Sequence, residues 1–201
     1  MGADWIKSAA LYLKERDPIL AKAIDEIGEC TLKTSNDYFG ALARSIIFQQ
    51  LSRHAASTIY KRFIDASGGA LTPESVLSME KRKFKESGIS ERKADYLIIL
   101  AEKFASKEID TELIENLSDE EIIEKLTTVK GIGRWSAQMV LIFSMNRPDV
   151  LPLGDAGFKR AVKINYNLGP SPSEEEIKKI AEAWRPYRSI ASWYMWQTVN
   201  R

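Results

Sequence analysis

The sequence has only one cysteine and one histidine, and it has no long uninterrupted hydrophobic run. A single cysteine, Cys30, excludes an internal disulfide framework and any zinc or iron–sulfur centre held by several cysteines of this chain. No segment approaches the roughly 18 apolar residues of a membrane span, and the stretch 1–17 has charges where a signal peptide has its apolar core. We therefore expect a protein without membrane association that acts in the cytoplasm, near the nucleoid, or in the nucleus of a eukaryote.

An excess of charge of one sign is also missing, because the formal net charge is only +1. The charge is unevenly distributed, however. Residues 125–163 contain seven basic and two acidic residues, which is +5, so the remainder of the chain carries −4. A local positive face on a nearly neutral body suits a protein that binds a polyanion at one place. A solvated cluster of lysines and arginines without a ligand explains the charge count equally well.

Strand signals are weak, whereas signals for the start of a helix recur along the chain. The one strand-like run, at 150–153, is short and interrupted by Pro152. Ser118 and Ser173 each have glutamate three residues later, and Thr72 has proline next to it. Ser90 stands before a run whose apolar residues share one helical face. Helices are therefore predicted after Thr72, Ser90, Ser118 and Ser173, in segments 4–15 and 17–28, and as a pair meeting near Ser52 within 38–66. The sequence predicts an all-α fold, as one compact domain or two interleaved subdomains.

The stretch VKGIGRW at 129–135 predicts a tight turn between two helices, the first ending near Thr128 and the second beginning near Gly133. Glycines two residues apart allow a sharp turn, and they carry no Cβ to keep another molecule away. Backbone amides at the start of the second helix would suit a phosphate oxygen. A Gly-x-Gly pair also occurs in plain interhelical turns, so the spacing leaves both interpretations open. The candidate phosphate contacts are Gly131, Gly133, Arg134 and Lys130.

A longer stretch that contains this turn carries a family resemblance. The segment LTTVKGIGRWSAQMVLIFSMNRPDVLPLGDAGFKRAV resembles the helix-hairpin-helix and Gly-Pro-Asp region of base-excision DNA glycosylases. Within that superfamily it is most similar to the 3-methyladenine DNA glycosylase II branch. Three further segments agree with that branch: ARSIIFQQLSRHAAS at 43–57, SGISERKADYL at 87–97 and AEAWRPYRSIASWYMW at 181–196.

The resemblance implies a particular helical architecture for residues 1–201, which would form one catalytic domain. Two helical subdomains would flank a cleft for DNA. The middle subdomain is expected at about 38–130, and the second is expected from about 1–37 together with 131–201. Some members carry a β-rich N-terminal domain, and this chain resembles the compact form that lacks it.

The resemblance places the superfamily's catalytic aspartate at Asp155. Breaking an N-glycosidic bond puts positive charge on the sugar. A carboxylate near the anomeric carbon stabilises that charge, and it can orient or deprotonate the attacking water. Asp155 can equally serve as the N-cap of the helical run that follows it. The two roles are compatible if they use different oxygens.

The residue at position 135 indicates which of two mechanisms the enzyme uses. Bifunctional members of the superfamily carry a lysine at the second residue after the last hairpin glycine, and its amine forms a Schiff base. This chain has Trp135 there. The resemblance therefore implies a monofunctional enzyme that leaves an abasic site without cutting the strand. No cofactor or catalytic metal is expected, apart from a monovalent cation that related hairpins hold.

The expected substrate is double-stranded DNA with a damaged base, and the enzyme is expected to flip that base out of the stack. We expect the protein to bind the DNA as a monomer. Alkylated purines of the 3-methyladenine type carry positive charge, which an indole face attracts by about 0.5 to 2 kcal/mol. The residues expected to line the base pocket are Trp135, Trp196, Met139 and Tyr194. Trp184 and Trp193 are interpreted as core residues.

The segment QQLS at 49–52 resembles the part of the family that fills the gap left by the flipped base. Leu51 is the candidate wedge and Gln50 is the candidate contact to the unpaired base, although Leu51 also fits a core position. His54 is either a solvated helix residue or a DNA contact. Two other functions remain open: a non-catalytic helix-hairpin-helix module that binds DNA, and a glycosylase for hypoxanthine or uracil.

Overall fold

The computed structural model describes residues 4–32 and 35–199, and within these ranges every regular element is a helix. The all-α prediction is therefore confirmed. None of the described helices combines the length and the apolar character that crossing a membrane requires. The helices are α1 Asp4–Arg16, α2 Pro18–Ile27, α3 Tyr38–Phe48, α4 Arg53–Ala66, α5 Pro73–Leu77, α6 Lys81–Glu86, α7 Glu91–Ala105, α8 Thr111–Ile114, α9 Asp119–Thr127, α10 Arg134–Phe143, α11 Ala156–Asn165, α12 Glu174–Glu182 and α13 Arg188–Val199.

The chain divides into two compact units. The middle unit is Ser35–Val140, and the terminal unit is Met1–Thr34 together with Leu141–Arg201. The division after Val140 lies beyond the boundary expected near residue 130, because the glycine turn and the start of α10 pack within the middle unit. Residues 1–3, 33–34 and 200–201, which the expected second subdomain included, lie outside the described residues.

Among the described helices, five start at a serine or threonine cap, and in four of them the cap is the residue that the sequence pattern indicates. Ser52 and Ser90 each accept a hydrogen bond from a backbone N–H in the first turn of α4 and α7. Reciprocal capping boxes open α5, α9 and α12, at Thr72, Ser118 and Ser173. The short helices α6 and α8 were not predicted, since a helix of four to six residues is too short to show a hydrophobic period.

In the middle unit, α7 packs against α3 and α5. Leu97 and Leu100 of α7 and Ile46 of α3 are completely buried. Helices α4 and α6 meet through the rings of Phe63 and Phe84, whose centroids are 5.4 Å apart. This packing leaves the C-terminal end of α3 and the N-terminal turns of α7 close to the glycine turn.

In the terminal unit, α13 packs against α2 and α11. Seven consecutive residues of α13, Ser189–Met195, are buried, so this helix has no wide solvent-facing side over that length. Trp184 is completely buried and Trp193 is 8% exposed, which confirms that both are core residues.

A buried carboxylate holds the start of α2 in this core. Asp17 is 6% exposed, and its Oδ1 accepts hydrogen bonds from the backbone N–H groups of Ile19 and Leu20 at 2.9 and 3.1 Å. Its Oδ2 accepts from the Tyr166 hydroxyl at 2.6 Å and from the Trp184 indole N–H at 2.9 Å. Four donors thus compensate the charge for its lost hydration.

Candidate active site

Asp155 stands at the N-terminus of α11, where its side chain is half-buried. Its Oδ1 accepts a hydrogen bond from the backbone N–H of Phe158 at 2.6 Å, so the N-cap interpretation is confirmed. The same oxygen accepts from the Trp196 indole N–H at 2.8 Å. Two donors from different helices therefore fix the orientation of this carboxylate.

Gly157, which has no side chain, leaves the space beside Asp155 unfilled. A Cβ added at Gly157 would lie 3.2 Å from Oδ1 of Asp155 and 3.7 Å from Cδ1 of Trp196. The first distance is shorter than ordinary van der Waals contact, so a side chain here would press on the hydrogen-bonded pair. Gly157 itself is exposed, and the pair therefore lies close to the protein surface.

Trp196 belongs to a small aromatic cluster around the carboxylate. Its ring stacks on that of Phe143, with centroids 5.7 Å apart and planes 30° apart. The ring of Phe158 meets it edge-on at 6.3 Å. Phe143 was not predicted, although it lies at helical spacing from Trp135 and Met139.

Helix α10 carries an apolar stripe with solvent exposure at intervals of four residues. Trp135 is 43% exposed, Met139 is half-buried and Phe143 is 36% exposed. Large exposed apolar side chains in series are unusual on a protein that has nothing to bind. The pocket roles of Trp135 and Met139 stay predictions.

Tyr194, a predicted pocket residue, lies in the core of the terminal unit. It is 1% exposed, and its hydroxyl donates to the backbone carbonyl oxygen of Gly28 at 3.0 Å. Burial raises the pKa of its phenol to about 12. The sequence could not reveal this position, because α13 is buried on most sides and its pattern does not indicate which residues face outward.

The two positions of the turn that hold glycine differ in how strictly the structure requires it. Gly131 has φ +91°, and a Cβ there would come within 2.4 Å of the Tyr96 ring, so only glycine fits. Gly133 is exposed, and a Cβ there would meet no described atom within 4 Å. The fold therefore requires Gly131, whereas Gly133 leaves the start of α10 accessible to another molecule.

The basic residues at the turn differ as well. The Arg134 guanidinium makes two hydrogen bonds to the Glu120 carboxylate, at 2.6 and 2.7 Å. This hydrogen-bonded arginine holds the pKa of Glu120 below its usual range. Lys130 is exposed at the turn. A phosphate contact by the Arg134 side chain would have to compete with Glu120, whereas a contact by its backbone amide would not.

The segment between α3 and α4 presents the candidate wedge. Gln50 has φ +56°, a left-handed conformation that costs a non-glycine residue about 1 to 2 kcal/mol. Leu51 is 39% exposed, which excludes the core position that its sequence also allowed. His54 is exposed in the first turn of α4, and a DNA contact by its ring stays a prediction.

Two side chains that the sequence did not single out hold this segment. The Gln49 amide Nε2 donates to the carbonyl oxygen of Gly131 at 2.6 Å. The Lys93 ammonium donates to the carbonyl oxygens of Ile47 and Gln49 at 2.7 and 2.9 Å. Burial, followed by the charge of Arg92, lowers the pKa of Lys93. Gln49 is the first residue of the QQLS segment, but its partner Gly131 is 82 residues away in the sequence.

Among the described residues there is no group of three or more histidine, cysteine, aspartate or glutamate side chains that would hold a metal ion. A monovalent cation at the glycine turn would bind backbone carbonyls instead. One of these, the Gly131 oxygen, already accepts the Gln49 amide. The cation stays a prediction.

Comparison with known proteins gives the context of this geometry. Residues 43–186 match the model of the HhH-GPD superfamily of base excision DNA repair proteins, a span that contains both the glycine turn and Asp155. DNA-3-methyladenine glycosylase 1 of Schizosaccharomyces pombe is 41% identical over 160 residues, covering 78% of this chain and 70% of the relative. The alkylbase DNA glycosidase-like protein mag2 of the same yeast is 31% identical over 197 residues, covering 95% and 92%.

A solved structure extends the similarity to the fold. The S. pombe 3-methyladenine DNA glycosylase in complex with abasic DNA superposes with a TM-score of 0.85 at 34% identity. The match covers 96% of this chain and 97% of that one. The sequence match spans well over half of the chain and the fold match nearly all of it, so the protein belongs to the HhH-GPD superfamily of base excision DNA repair proteins.

Proposed function

We propose that this protein is a monofunctional DNA N-glycosylase of base excision repair. It acts as a monomer on double-stranded DNA and hydrolyses the N-glycosidic bond of flipped-out alkylated purines, such as 3-methyladenine and 7-methylguanine. The observation that carries the proposal is the Asp155 carboxylate, which lies inside the part of the chain that matches the superfamily and accepts hydrogen bonds from the N–H groups of Phe158 and Trp196.

The position of Asp155 suits the stabilisation of positive charge on the deoxyribose as its base departs. As the glycosidic bond breaks, positive charge develops on the deoxyribose. A carboxylate whose orientation is already set by Phe158 and Trp196 needs no rearrangement when that charge appears, and such preorganised groups are the effective ones in catalysis. The carboxylate also serves to orient the attacking water.

Trp135 favours hydrolysis over strand cleavage. It occupies the place at which bifunctional members have their lysine, and an indole cannot form a Schiff base with the sugar. Water is then the nucleophile, and the product is an abasic site in an intact strand.

The aromatic cluster at Asp155 favours alkylated purines as substrates. N-alkylated purines carry positive charge, and aromatic faces such as that of Trp196 attract cations. The positive charge also makes these bases good leaving groups, so the enzyme can dispense with a general acid. Neutral hypoxanthine and uracil gain neither advantage.

The middle unit supplies the features suited to gripping DNA. Backbone amides at the accessible N-terminus of α10, next to the exposed Lys130, suit a phosphate oxygen. The exposed Leu51 is an apolar wedge of the kind that separates stacked bases from the minor groove. These contacts hold the duplex without reading its sequence.

The decisive experiment replaces Asp155 by asparagine. Asparagine caps a helix as well as aspartate does, so we expect an unchanged melting temperature and unchanged affinity for a duplex with an abasic-site analogue. Single-turnover release of 7-methylguanine should fall by about a thousandfold, because the developing charge loses its counterion. Asp110→Asn, the same change at the cap of α8, is the matched control and should excise normally. Near-normal base release by Asp155→Asn would refute the assignment.

The same assay tests the products and the substrate range. Wild-type protein should leave DNA strands that break only after alkali, and borohydride should trap no covalent adduct. A trapped adduct would show that a lysine forms a Schiff base. Duplexes with single hypoxanthine or uracil lesions should release base much more slowly than the alkylated duplex, and faster release would assign the enzyme to deaminated bases.

A further inference from the structure

We infer that Gln49 and Lys93 are positioning residues that hold Leu51 ready to enter the space vacated by a flipped base. The inference rests on the proposed function and concerns how the duplex is opened, a step before the chemistry at Asp155.

The first observation is the way α3 ends. The helix stops at Phe48, and its C-cap is Gln49 and not a glycine. A side chain from α7 binds one carbonyl of the last turn and the carbonyl of the cap residue. The Lys93 ammonium donates to the oxygens of Ile47 and Gln49. A cation is favourable at the negative end of a helix. Because Lys93 binds carbonyls on both sides of Phe48, it fixes the direction in which the chain leaves the helix.

The second observation is the connection between this segment and the glycine turn. Gln49 donates to the carbonyl oxygen of Gly131. The positive φ of Gly131 and the nearby Tyr96 ring leave no room for a side chain at that position. One helical turn earlier, the Ser45 hydroxyl donates to that of Ser136 at 2.7 Å. The end of α3 is thus tied at two points to the turn and first residues of α10, the part that we propose to hold the phosphate backbone.

The third observation is that Leu51 is exposed although the backbone around it is constrained. Gln50 adopts a left-handed conformation, which persists only where neighbouring contacts enforce it. On the other side, Ser52 caps α4. An apolar side chain on a backbone that is already ordered loses less entropy on insertion than one on a mobile loop. The two anchors therefore lower the free energy of base flipping by ordering the wedge in advance.

If Gln49 and Lys93 only stabilised the fold, their loss would slow excision equally on every substrate. Two duplexes distinguish that role from a role in base flipping. In one duplex the alkylated purine is paired, and in the other it lies in a single-nucleotide bulge, where flipping requires little work. The variants are Gln49→Met, which keeps the length but removes the donor, and Lys93→Met, with Lys93→Arg as the conservative variant that restores the charge. Lys22→Met, at an exposed lysine of α2, is the matched control.

We expect Gln49→Met and Lys93→Met to slow single-turnover excision from the paired duplex by about tenfold, and from the bulged duplex by less than about twofold. Lys93→Arg should recover most of the rate on the paired duplex. An equal loss on both substrates would overturn the inference, since it would mean a general loss of folding or of DNA binding. If Lys93→Met does not fold, Gln49→Met and Lys93→Arg decide the question.

A double-mutant cycle tests whether the anchors act through the wedge. In a Leu51→Ala background, Gln49→Met should have almost no further effect on excision from the paired duplex, because residues that act as one unit are non-additive. Independent, multiplying losses would show that Gln49 acts elsewhere.

A measurement of base flipping that does not depend on base release tests this inference independently of the proposed function. The fluorescence of 2-aminopurine, placed as the target base in a duplex, rises when the base leaves the stack. In the Asp155→Asn background, Gln49→Met should lower that signal at saturating protein and leave abasic-DNA binding within about twofold. Unchanged fluorescence would overturn the positioning role even if excision is confirmed. A lower signal would support it even if wild-type protein released none of the tested bases.

Discussion

Asp17 and Asp155 lie in the same unit and share two kinds of contact, yet their surroundings differ. Each caps a helix, and each accepts a hydrogen bond from a tryptophan indole, Trp184 or Trp196. Asp17 is 6% exposed, and its two oxygens accept four hydrogen bonds. Asp155 is half-buried, next to the exposed Gly157, and both its cap and its indole contact use Oδ1.

The difference shows what separates a structural carboxylate from one that can act on a substrate. A charge sealed in the core must be fully compensated, so Asp17 is committed to the helices that it joins. A carboxylate near the surface can be oriented by the same donors and still meet a cationic group on another molecule. The cap and the indole contact do not distinguish these roles, whereas access from outside does.

The largest expected contrast is between Asp155→Asn and Asp17→Asn. The first should remove base release while the fold is kept. The second should keep base release by the folded fraction but lower the free energy of unfolding by about 2 to 3 kcal/mol, because an asparagine NH₂ group cannot accept from N–H donors that are buried. Urea unfolding and single-turnover excision on both variants check the contrast. If folded Asp17→Asn protein lost excision activity, the division into a structural and a catalytic carboxylate would be wrong.

A smaller contrast is expected between the two indoles. Trp196→Phe removes the donor to Oδ1 of Asp155 and should lower kcat by about tenfold through misorientation of the carboxylate, with little change in KM. Trp184→Phe removes volume and a donor from a fully buried position, so it should lower the free energy of unfolding by about 2 kcal/mol without changing kcat. Similar effects of both variants on kcat would mean that the two indoles do not have separate roles.

The smallest expected effect concerns Tyr166 and pH. Burial, followed by the hydrogen bond to Asp17 and its charge, raises the pKa of the Tyr166 phenol. Above the usual phenol pKa of about 10 the unfolded chain ionises first, so the stabilisation is present below that pH and lost above it. Tyr166→Phe should therefore be about 1 kcal/mol less stable at pH 8, and the gap should narrow towards pH 11. A constant gap in urea unfolding at both pH values would contradict this assignment.

The helix boundaries were largely predictable because capping acts over three or four residues. Ser118 and Glu121, or Ser173 and Glu176, bind each other's backbone whatever lies beyond them. The glycine turn was predictable for a similar reason, since α9 ends at Thr127 and α10 begins at Arg134, close to the expected positions. Asp155 and Trp135 were identified by the resemblance of one continuous motif, which contains both, to the glycosylase superfamily.

The errors and omissions arose where contacts join distant segments. Tyr194 was expected in a pocket, but its partner Gly28 is 166 residues away. The sequence also did not indicate that the fold brings Glu120 from α9 to the Arg134 guanidinium, and the phosphate contact of Arg134 stays a prediction. No short-range pattern indicates that Gln49 reaches Gly131 or that Asp17 reaches Trp184.

The sequence alone determined where the helices start, that the hairpin position holds an indole in place of an amine, and that a carboxylate follows Leu-Pro-Leu-Gly. These features depend on residues within about one helical turn of each other, so local chemistry suffices to specify them. Only the tertiary structure decided which aspartate is sealed in the core and which lies near the surface, and which side chains hold Leu51 in place. Burial and long-range hydrogen bonds depend on how separate helices pack, and that packing is set by the whole chain at once.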